Sequence, residues 1–257
     1  MEKVCLQICS KFGVLKLTDM KKITFPFVIV TALLWVILLT GCNSCIDGTG
    51  HVENQTRAVE PFSEIVLNIN ADVVVDVASK TTMQIHAQQN VLDAITTRVK
   101  GKKLIIDASP CLGKTDPILI KVFSPDIYKL TVNGVGMIKT ANPITLGEMT
   151  LNLSGSGKIF ADVHANIVNT NLSGSGDIIV NGSANKQNID LKGSGNFKGL
   201  GMRTNSIEVE LSGSGKASVS ATNKLVVEIT GSGEVVYAGD PKVKTEVVGS
   251  GKVTKMD

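Results

Sequence analysis

The tripeptide Gly-Ser-Gly recurs along the C-terminal half of this chain at nearly constant intervals. It occurs six times, and a degenerate copy, Gly134-Val135-Gly136, precedes the six by a similar interval. The first glycines of successive copies lie 21, 19, 19, 20, 18 and 18 residues apart. A period of about 20 residues is typical of a solenoid, in which each repeat buries its apolar face only by stacking on its neighbours. The six copies begin at Gly155, Gly174, Gly193, Gly213, Gly231 and Gly249.

Apolar residues flank each copy at fixed distances. The position two residues before the first glycine and the position four residues after it are apolar in all six copies. Because side chains alternate between the two faces of a strand, these positions share one face, which we expect to form the core. The pattern predicts an all-β chain folded as a single-stranded parallel β-helix, or β-solenoid, with rungs of about 18–21 residues. The two columns are Leu153, Leu172, Leu191, Leu211, Ile229 and Val247, and Ile159, Ile178, Phe197, Ala217, Val235 and Val253.

Glycine at both ends of the tripeptide has two explanations at this stage. Strand alternation places both glycines on the same face as the apolar columns. If the alternation is unbroken, the glycines point inward and allow the coil to bend because they have no side chain. If it is broken, they adopt a positive φ at a corner. Neither explanation requires a ligand, so the motif is interpreted as structural.

The outward positions beside the motif are polar. The central residue is serine in all six copies, and the residue after the motif varies in charge from copy to copy. Parallel rungs stack about 4.8 Å apart, so each position becomes a ladder of side chains along the axis. Opposite or neutral partners then lie side by side, which predicts a solvated, self-neutralising face. This ladder is Lys158, Asp177, Asn196, Lys216, Glu234 and Lys252.

Four acidic residues share the position three before the first glycine. Enzymes that cleave polysaccharides need clustered carboxylates, alone or with calcium, so this column is the candidate cation or ligand site. The alternative is a solvated acidic ladder offset by nearby lysines. We predict no catalytic residue, metal site or cofactor, because the serines lack a repeated histidine partner and the histidines share no ligand spacing. The column is Asp190, Glu210, Glu228 and Glu246.

Residues 20–41 have the form of a lipoprotein signal peptide. Met20-Lys21-Lys22 provides a positive start, and the apolar run that follows is short for a membrane span. It ends in Leu39, Thr40, Gly41 and Cys42, which together resemble the lipobox of bacterial lipoproteins. We therefore expect cleavage before Cys42 and lipidation of its thiol; the alternative is an ordinary signal peptide or a membrane anchor with a chance cysteine. Residues 1–19 do not fit a signal peptide and are interpreted as a mis-called extension.

The remaining chain divides into a tether and a solenoid. Residues 42–56 are polar and are predicted to be a lipidated tether, followed by the solenoid over residues 57–257. The first 42 residues hold five of the 26 basic and two of the 23 acidic side chains, which leaves 21 of each sign. This neutral balance argues against a nucleic-acid partner. Whether Cys45 and Cys111 form a disulfide stays open.

The order of motifs from Arg57 onward resembles the head GIN domain family. The resemblance is carried by the segment Arg57–Ile65, by Ala71-Asp72-Val73, by Leu104-Ile105-Ile106 and by the serial Gly-Ser-Gly copies. Members are bacterial cell-envelope proteins, often lipoproteins, that are labelled autotransporter adhesins. The resemblance covers about residues 57–257 and implies a right-handed parallel β-helix, without an established activity.

These features predict a non-enzymatic lipoprotein of the cell envelope, anchored at the outer membrane, that acts as an adhesin or as an envelope-organising binding module. The alternative is a carbohydrate-active or sugar-binding β-helix protein. Expected partners are the membrane, through the lipid, and a glycan or another cell-surface molecule. The last residues include Lys252 and Lys255, which discourage edge pairing, so either these charges protect the solenoid end or it docks on a partner such as a second copy.

Overall fold

The structure, a computed structural model, describes residues 45–256. This part of the chain is 71% strand and 3% helix, and it forms a β-solenoid of about seven turns with mostly parallel pairing. The predicted fold class, an all-β parallel β-solenoid, is confirmed. The lipobox residues Leu39, Thr40, Gly41 and Cys42, with the rest of the predicted export signal and the 1–19 extension, lie outside the described residues.

Seventeen strands and one short helix follow one another along residues 45–256. The one helix, α1, is short, and strand β5 follows it directly. In chain order the elements are β1 (Val52–Arg57), β2 (Glu64–Leu67), β3 (Asp72–Val77), β4 (Thr82–Gln88), α1 (Gln89–Ala94), β5 (Ile95–Lys100), β6 (Lys103–Ala108), β7 (Leu119–Ser124), β8 (Lys129–Gly134), β9 (Met137–Thr140), β10 (Ile144–Gly155), β11 (Lys158–Gly174), β12 (Asp177–Gly193), β13 (Asn196–Gly213), β14 (Lys216–Gly231), β15 (Glu234–Ala238), β16 (Lys242–Gly249) and β17 (Lys252–Lys255).

Parallel, in-register pairing stacks the predicted apolar columns into the core. Leu153 pairs with Leu172, and Leu172 with Leu191, on successive rungs. Each of the three leucines is at most 2% exposed, and burying such a side chain contributes about 1.5–3 kcal/mol to stability. The last member of the first column differs, because Val247 lies in the final rung and is 41% exposed. The column prediction is therefore confirmed for the interior of the solenoid, while the final rung leaves its apolar side chain uncovered.

The two glycines of each motif have different roles. The first glycine, in every copy including Gly134, has φ between 107° and 122°, which a residue with a Cβ rarely adopts. The second glycine is buried in every copy except the last, and a Cβ at Gly176 would come within 2.7 Å of the Leu153 Cδ2 atom on the preceding rung. The first glycine thus forms the corner, and the second makes room for a core leucine. The positive φ proposed for a corner thus applies to the first glycine, and the inward position without a side chain applies to the second.

Backbone hydrogen bonds continue through the corner. The Ser194 N–H donates to the Gly174 carbonyl at 2.9 Å, and the Ser175 N–H donates to the Gly155 carbonyl at the same distance. The stacked rungs approach so closely here that a Cβ on Gly193 would lie 2.6 Å from the Gly174 carbonyl oxygen. The corner therefore keeps its backbone groups paired only because side chains are absent.

The first turns do not stack in chain order. Strand β2 pairs in parallel with β6 on one side and with β8 on the other, and β3 pairs likewise with β7 and β9. The chain forms the β2–β3 turn, returns beneath it with β6 and β7, and then crosses to the opposite side with β8 and β9. The Gly-Ser-Gly repeat grows from that side. The sequence does not predict this order, because β2, β3, β6 and β7 lack the repeated corner that reports which segments are neighbours.

Antiparallel segments close the N-terminal end of the solenoid. Strand β4 pairs with β7 and with β1, and β5 pairs with β6, all antiparallel. The Arg57 guanidinium donates to the carbonyl oxygens of Leu92, at 2.7 Å, and Ile95, at 2.6 Å, around the end of α1. Burial lowers the pKa of Arg57, and the charge of Asp93 opposes that shift. This half-buried cation joins β1 to the helix and to β5.

The segment predicted to be a tether is largely part of this N-terminal closure. Cys45 forms a disulfide with Cys111, which settles the pairing that the sequence left open. The Ile46 N–H donates to the Cys111 carbonyl at 2.9 Å, and β1 is a paired strand. From Cys45 onward, the predicted tether of residues 42–56 therefore belongs to the folded unit, because a covalent bond and a strand pairing hold it there.

Replacing Gly193 by valine is expected to destabilise the fold far more than replacing Ser194 by alanine. Gly193 has φ of 110°, so a β-branched residue there is strained and also meets the Gly174 carbonyl. We expect Gly193→Val to cost about 2 kcal/mol or more, and the exposed Ser194→Ala to change stability by less than about 0.5 kcal/mol. Urea and thermal unfolding measure both variants, and equal melting temperatures would contradict the role given to the glycine.

Candidate ligand-binding face

The strand segments that lead into the Gly-Ser-Gly corners present a continuous polar surface, called the polar face below. Outward side chains one, three and five residues before each first glycine stack in register from β8 to β16. They form a near, a middle and a far column, named by their distance from the corner. The middle column is Thr131, Asn152, Asn171, Asp190, Glu210, Glu228 and Glu246, and the far column is Lys129, Thr150, Asn169, Asn188, Glu208, Val226 and Lys244.

The four acidic residues singled out in the sequence stand on consecutive rungs of the middle column. Asp190 pairs in register with Glu210, Glu210 with Glu228, and Glu228 with Glu246. Within residues 45–256 no three His, Cys, Asp or Glu side chains have an arrangement that could hold a metal ion. The column is thus one stacked row of carboxylates rather than a cage, and whether it binds a ligand stays a prediction.

Asparagine side chains continue both columns toward the N-terminal end. The Asn171 amide donates to Asn152 Oδ1 at 2.8 Å in the middle column. In the far column, the Asn188 amide donates to Asn169 Oδ1 at 2.7 Å. An amide both donates and accepts, so a stack of asparagines satisfies itself along the axis. Each ladder stops where a carboxylate replaces the next amide, because a carboxylate can only accept.

A shallow cavity lies where the two ladders change from amide to acid. It has a volume of about 480 Å³ and is bounded by Asn171, Asn188, Asp190, Glu208 and Glu210, among others. The Asn188 Oδ1 atom is buried and has no hydrogen-bond partner. The carboxylates of Asp190, Glu208 and Glu210 make the wall of the cavity rich in acceptors, so the fitting ligand groups are hydroxyls or amines that donate.

Two lysines set the charge around the cavity. Lys192 Nζ lies 2.6 Å from Asp190 Oδ2, and Lys186 Nζ lies 3.4 Å from Glu208 Oε2. The hydrogen bond to Asp190 raises the pKa of Lys192, and the charges of Asp190 and Glu210 add to that shift. In the part of the chain that the structure describes, no ion pair involves Glu210, so it is the unpaired carboxylate of the cavity.

The structure divides the predicted acidic column into two parts. Asp190 and Glu210 border the cavity, whereas Glu228 and Glu246 continue the column on rungs beyond it. Asn169, Asn171 and Asn188 join these residues at the cavity, although as amides they carry no titratable group that marks them in the sequence. Their signal is that asparagine occupies the same offset in consecutive copies.

The ladder that follows the corners is self-neutralising, as predicted. Lys158 pairs in register with Asp177, the Asn196 amide donates to Asp177 at 2.9 Å, and Lys216 Nζ lies 2.9 Å from Glu234 Oε2. Along this ladder, oppositely charged or amide neighbours offset the charges. The polar face differs, because the Glu210 carboxylate there has no ion-pair partner within residues 45–256. Among residues 45–256, no helix has the length and apolar character that a membrane crossing requires.

Removing the charge of Glu210 is expected to stabilise the fold slightly, while the same change at Glu208 is not. Glu210 stands between two acidic residues about one rung away on either side, and stacked like charges repel. Glu208, two residues earlier, is paired with Lys186. We expect Glu210→Gln to raise the melting temperature by about 1 °C and Glu208→Gln to leave it unchanged or lower. Thermal unfolding at low salt measures both, and a drop for Glu210→Gln would contradict the repulsion.

Comparison with known proteins relates this fold to a described family. A family model described as "Putative auto-transporter adhesin, head GIN domain" matches residues 61–241. A search of curated protein sequences found no match.

Several solved structures are similar to this chain over nearly the whole solenoid. A "putative adhesin" from Bacteroides fragilis is 22% identical, with 82% of this chain and 100% of that chain covered and a TM-score of 0.78. A "putative adhesin" from Parabacteroides distasonis is 20% identical, with 83% and 100% covered and a TM-score of 0.70. A "putative lipid binding protein" from the same species is 25% identical, with 83% and 100% covered and a TM-score of 0.72. The solved chains thus correspond to about four fifths of this chain.

The two adhesin structures share the fold of this chain, and the family model covers well over half of its residues. The resemblance noted from Arg57 onward is confirmed by that match. This chain therefore belongs to the head GIN domain family, whose model carries the description "Putative auto-transporter adhesin".

Proposed function

We propose that the protein is a non-enzymatic adhesin of the cell envelope that binds hydroxyl-rich glycans through the cavity of its polar face. The observation that carries the proposal is the acceptor-rich cavity, which the carboxylates of Asp190, Glu208 and Glu210 border together. Sugar hydroxyls are donors that suit such a surface. Membership of an adhesin family supports the same kind of function.

Glycan recognition on this face would rely on hydrogen bonds rather than on stacking. No aromatic side chain borders the cavity, so the stacking platform found in many sugar sites is missing from it. Each hydrogen bond to a charged group contributes about 1.5–3 kcal/mol net, which implies weak binding per sugar unit. Repeated acceptors along the columns would let a polymer bind at several rungs, which raises the apparent affinity.

A carbohydrate-active enzyme is the alternative, and the surroundings of the carboxylates favour binding over catalysis. A glycosidase needs a general acid in an environment that keeps it protonated, commonly an apolar pocket. The Asp190 side chain is 33% exposed and forms an ion pair with Lys192 on an open surface. The cavity wall is mostly amide and charged groups, which also gives no support for an acyl-chain ligand of the kind suggested by the name of the lipid-binding relative.

Removing acceptors from the cavity is expected to weaken glycan binding. Asp190→Asn and Glu210→Gln keep the size of each side chain but replace an acceptor oxygen by an amide that donates. We expect each change to lower the affinity for a bound glycan about tenfold, since one charge-assisted hydrogen bond is lost. Binding to a glycan array followed by calorimetry on the strongest glycan measures the effect.

The matched control is Glu228→Gln, which removes a carboxylate from the same column one rung beyond the cavity. For a short glycan that spans only the cavity, this control should leave the affinity within about twofold of the original, because Glu228 does not border the cavity. Unchanged binding in both cavity variants would contradict the assigned site. Release of oligosaccharide that disappears with Glu210→Ala and Glu228→Ala would instead favour the enzyme.

The envelope part of the proposal is that the protein is held at the outer membrane by a lipid on Cys42. The support is the lipobox of Leu39 to Cys42 after a signal-like segment, together with membership of an adhesin family. A lipid close to the start of the solenoid would tether the folded unit at its N-terminal closure. An envelope-organising role uses the same anchor and differs only in the partner bound by the polar face.

Lipid attachment is expected to depend on Cys42 alone. Metabolic labelling with a fatty-acid analogue should label the protein, and Cys42→Ser should abolish the label and release the protein from the membrane fraction. Cys45→Ser is the matched control three residues away, because Cys45 forms a disulfide and is not a lipid acceptor. The Cys45→Ser variant should keep the fatty-acid label. Loss of the label in Cys45→Ser but not in Cys42→Ser would contradict lipid attachment to Cys42. Proteolysis of intact cells then tests exposure of the solenoid.

A further inference from the structure

Within residues 45–256, the C-terminal rung has one side of its core uncovered. Its strand β16 pairs with β14 on one edge, and within residues 45–256 no strand pairs with its other edge. Val243 is 39% exposed and Val247 is 41% exposed, although their counterparts on the rung below, Leu225 and Ile229, are at most 1% exposed. An open edge with apolar side chains attracts another strand.

Strand β16 has a sequence that is complementary to itself when paired antiparallel around Thr245. In that register Val243 lies opposite Val247 of the second strand, and Lys244 lies opposite Glu246. The same contacts occur twice because the register has a two-fold axis at Thr245. Residues directly opposite each other in an antiparallel pair share a face, so the valines meet on the core side and the charges on the solvent side.

The burial pattern of the solenoid supports this orientation. Val243, Thr245 and Val247 stack on Leu225, Val227 and Ile229, whose side chains form the core. Lys244 and Glu246 lie between them in sequence and so point to the polar face. A second β16 would therefore extend the core with four valines and would place two opposite-charge pairs on the polar face.

The neighbouring strand does not oppose such a contact. Lys252 pairs in register with Glu234 on the rung below, and Lys255 Nζ lies 2.6 Å from Asp240 Oδ1. Both lysines of β17 thus have an acidic partner within their own chain, which reduces repulsion between copies. That ion pair lowers the pKa of Asp240, first through the hydrogen bond and then through the charge of Lys255.

Within residues 45–256, the outer strand β1 at the opposite end exposes one large apolar side chain, Val52, rather than a pair of valines on one face. The antiparallel closure at that end buries Val91, Leu92 and Ile95, each at most 4% exposed, and the Cys45–Cys111 disulfide ties the preceding segment to it. A head-to-tail contact would place the exposed valines of β16 against the N-terminal closure, where the apolar side chains of that closure are already buried. Two C-terminal ends, in contrast, provide each other with the same missing partner.

We propose that a second copy of this chain covers the open end by antiparallel pairing of β16 with β16, with the two-fold axis at Thr245. The resulting dimer is isologous and joins the two cores end to end. The outward residues of the paired strands lie on one side, so the polar faces of the two copies become continuous. The inference rests on the self-complementary strand and on its exposed valines, and it holds whether or not the polar face binds glycans.

The test uses the unit of residues 44–257, which is compact and has its own core, and whose solved relatives consist of the corresponding part. Sedimentation velocity over a range of concentrations should show a monomer–dimer equilibrium. Lys244→Glu replaces two attractive pairs by two repulsive ones and should weaken the dimer about tenfold or more. The charge-swapped variant that combines Lys244→Glu with Glu246→Lys restores the pairing and should recover the dimer.

Disulfide trapping tests the register independently. Cys45 and Cys111 are bonded to each other, so Thr245→Cys would add the one free thiol of this unit. It should form an intermolecular disulfide on mild oxidation, because Thr245 faces itself across the axis. Val243→Cys is the control, since the two copies of that position would lie about 14 Å apart, too far for a disulfide.

A monomer at all concentrations would overturn the proposal, as would a dimer that Lys244→Glu leaves unchanged. Efficient trapping through Val243→Cys would refute the register. In the full chain, protection of the Thr245→Cys thiol from an alkylating reagent without cross-linking would show that residues before Cys45, or another protein, cover the end instead. Sedimentation, cross-linking and alkylation do not depend on glycan binding. Failure of the proposed function and failure of the dimer are therefore distinguishable.

Discussion

The stacking of the rungs from β8 onward depends on the hydrogen bond that crosses each Gly-Ser-Gly corner, from the serine N–H of one rung to the first-glycine carbonyl of the rung before. It recurs from Ser156 with Gly134 to Ser250 with Gly231, at 2.9 Å in both. A corner is where a coil would otherwise leave backbone groups unpaired, which is costly. Glycine permits both the positive φ and the close approach, so the rungs stay in register. Once the register is held, residues at one offset in the sequence become neighbours in space.

The polar face shows how one stacking rule can produce both a ladder of paired amides and a cavity rich in acceptors. Where amides occupy consecutive rungs, as at Asn169 and Asn188, they satisfy one another along the axis. Where carboxylates follow, at Glu208 and Glu210, the ladder has no donor to continue it, and Asn188 Oδ1 is left without a partner. The cavity therefore arises from a change in residue type along a regular array, without a specialised loop. The fold tolerates the stacked acids because they are exposed to water, which screens their repulsion.

Repetition explains which parts of the structure could be predicted. The apolar columns and the acidic column follow from residues that share an offset from Gly-Ser-Gly, and the structure stacks both as expected. The first turns carry no such offset, so the insertion of β2 and β3 between β6–β7 and β8–β9 had no signal in the pattern. The same applies to Cys45, which composition suggested was in a tether and which a disulfide to Cys111 attaches to the N-terminal closure. Asn188 had a repeat signal, but its importance depends on the missing partner, which only coordinates reveal.

The period, the corners, the two core columns and the row of Asp190, Glu210, Glu228 and Glu246 follow from the amino-acid order, because in-register parallel stacking turns an equal offset into a contact. The tertiary structure alone decided the order of the first turns, the N-terminal closure, the boundary of the cavity and the exposure of Val243 and Val247 at the open end. These features depend on contacts between segments that share no offset, or on what lies above the last rung. The stability of these features depends on contacts with particular neighbouring residues, which the repeat pattern of the sequence does not specify.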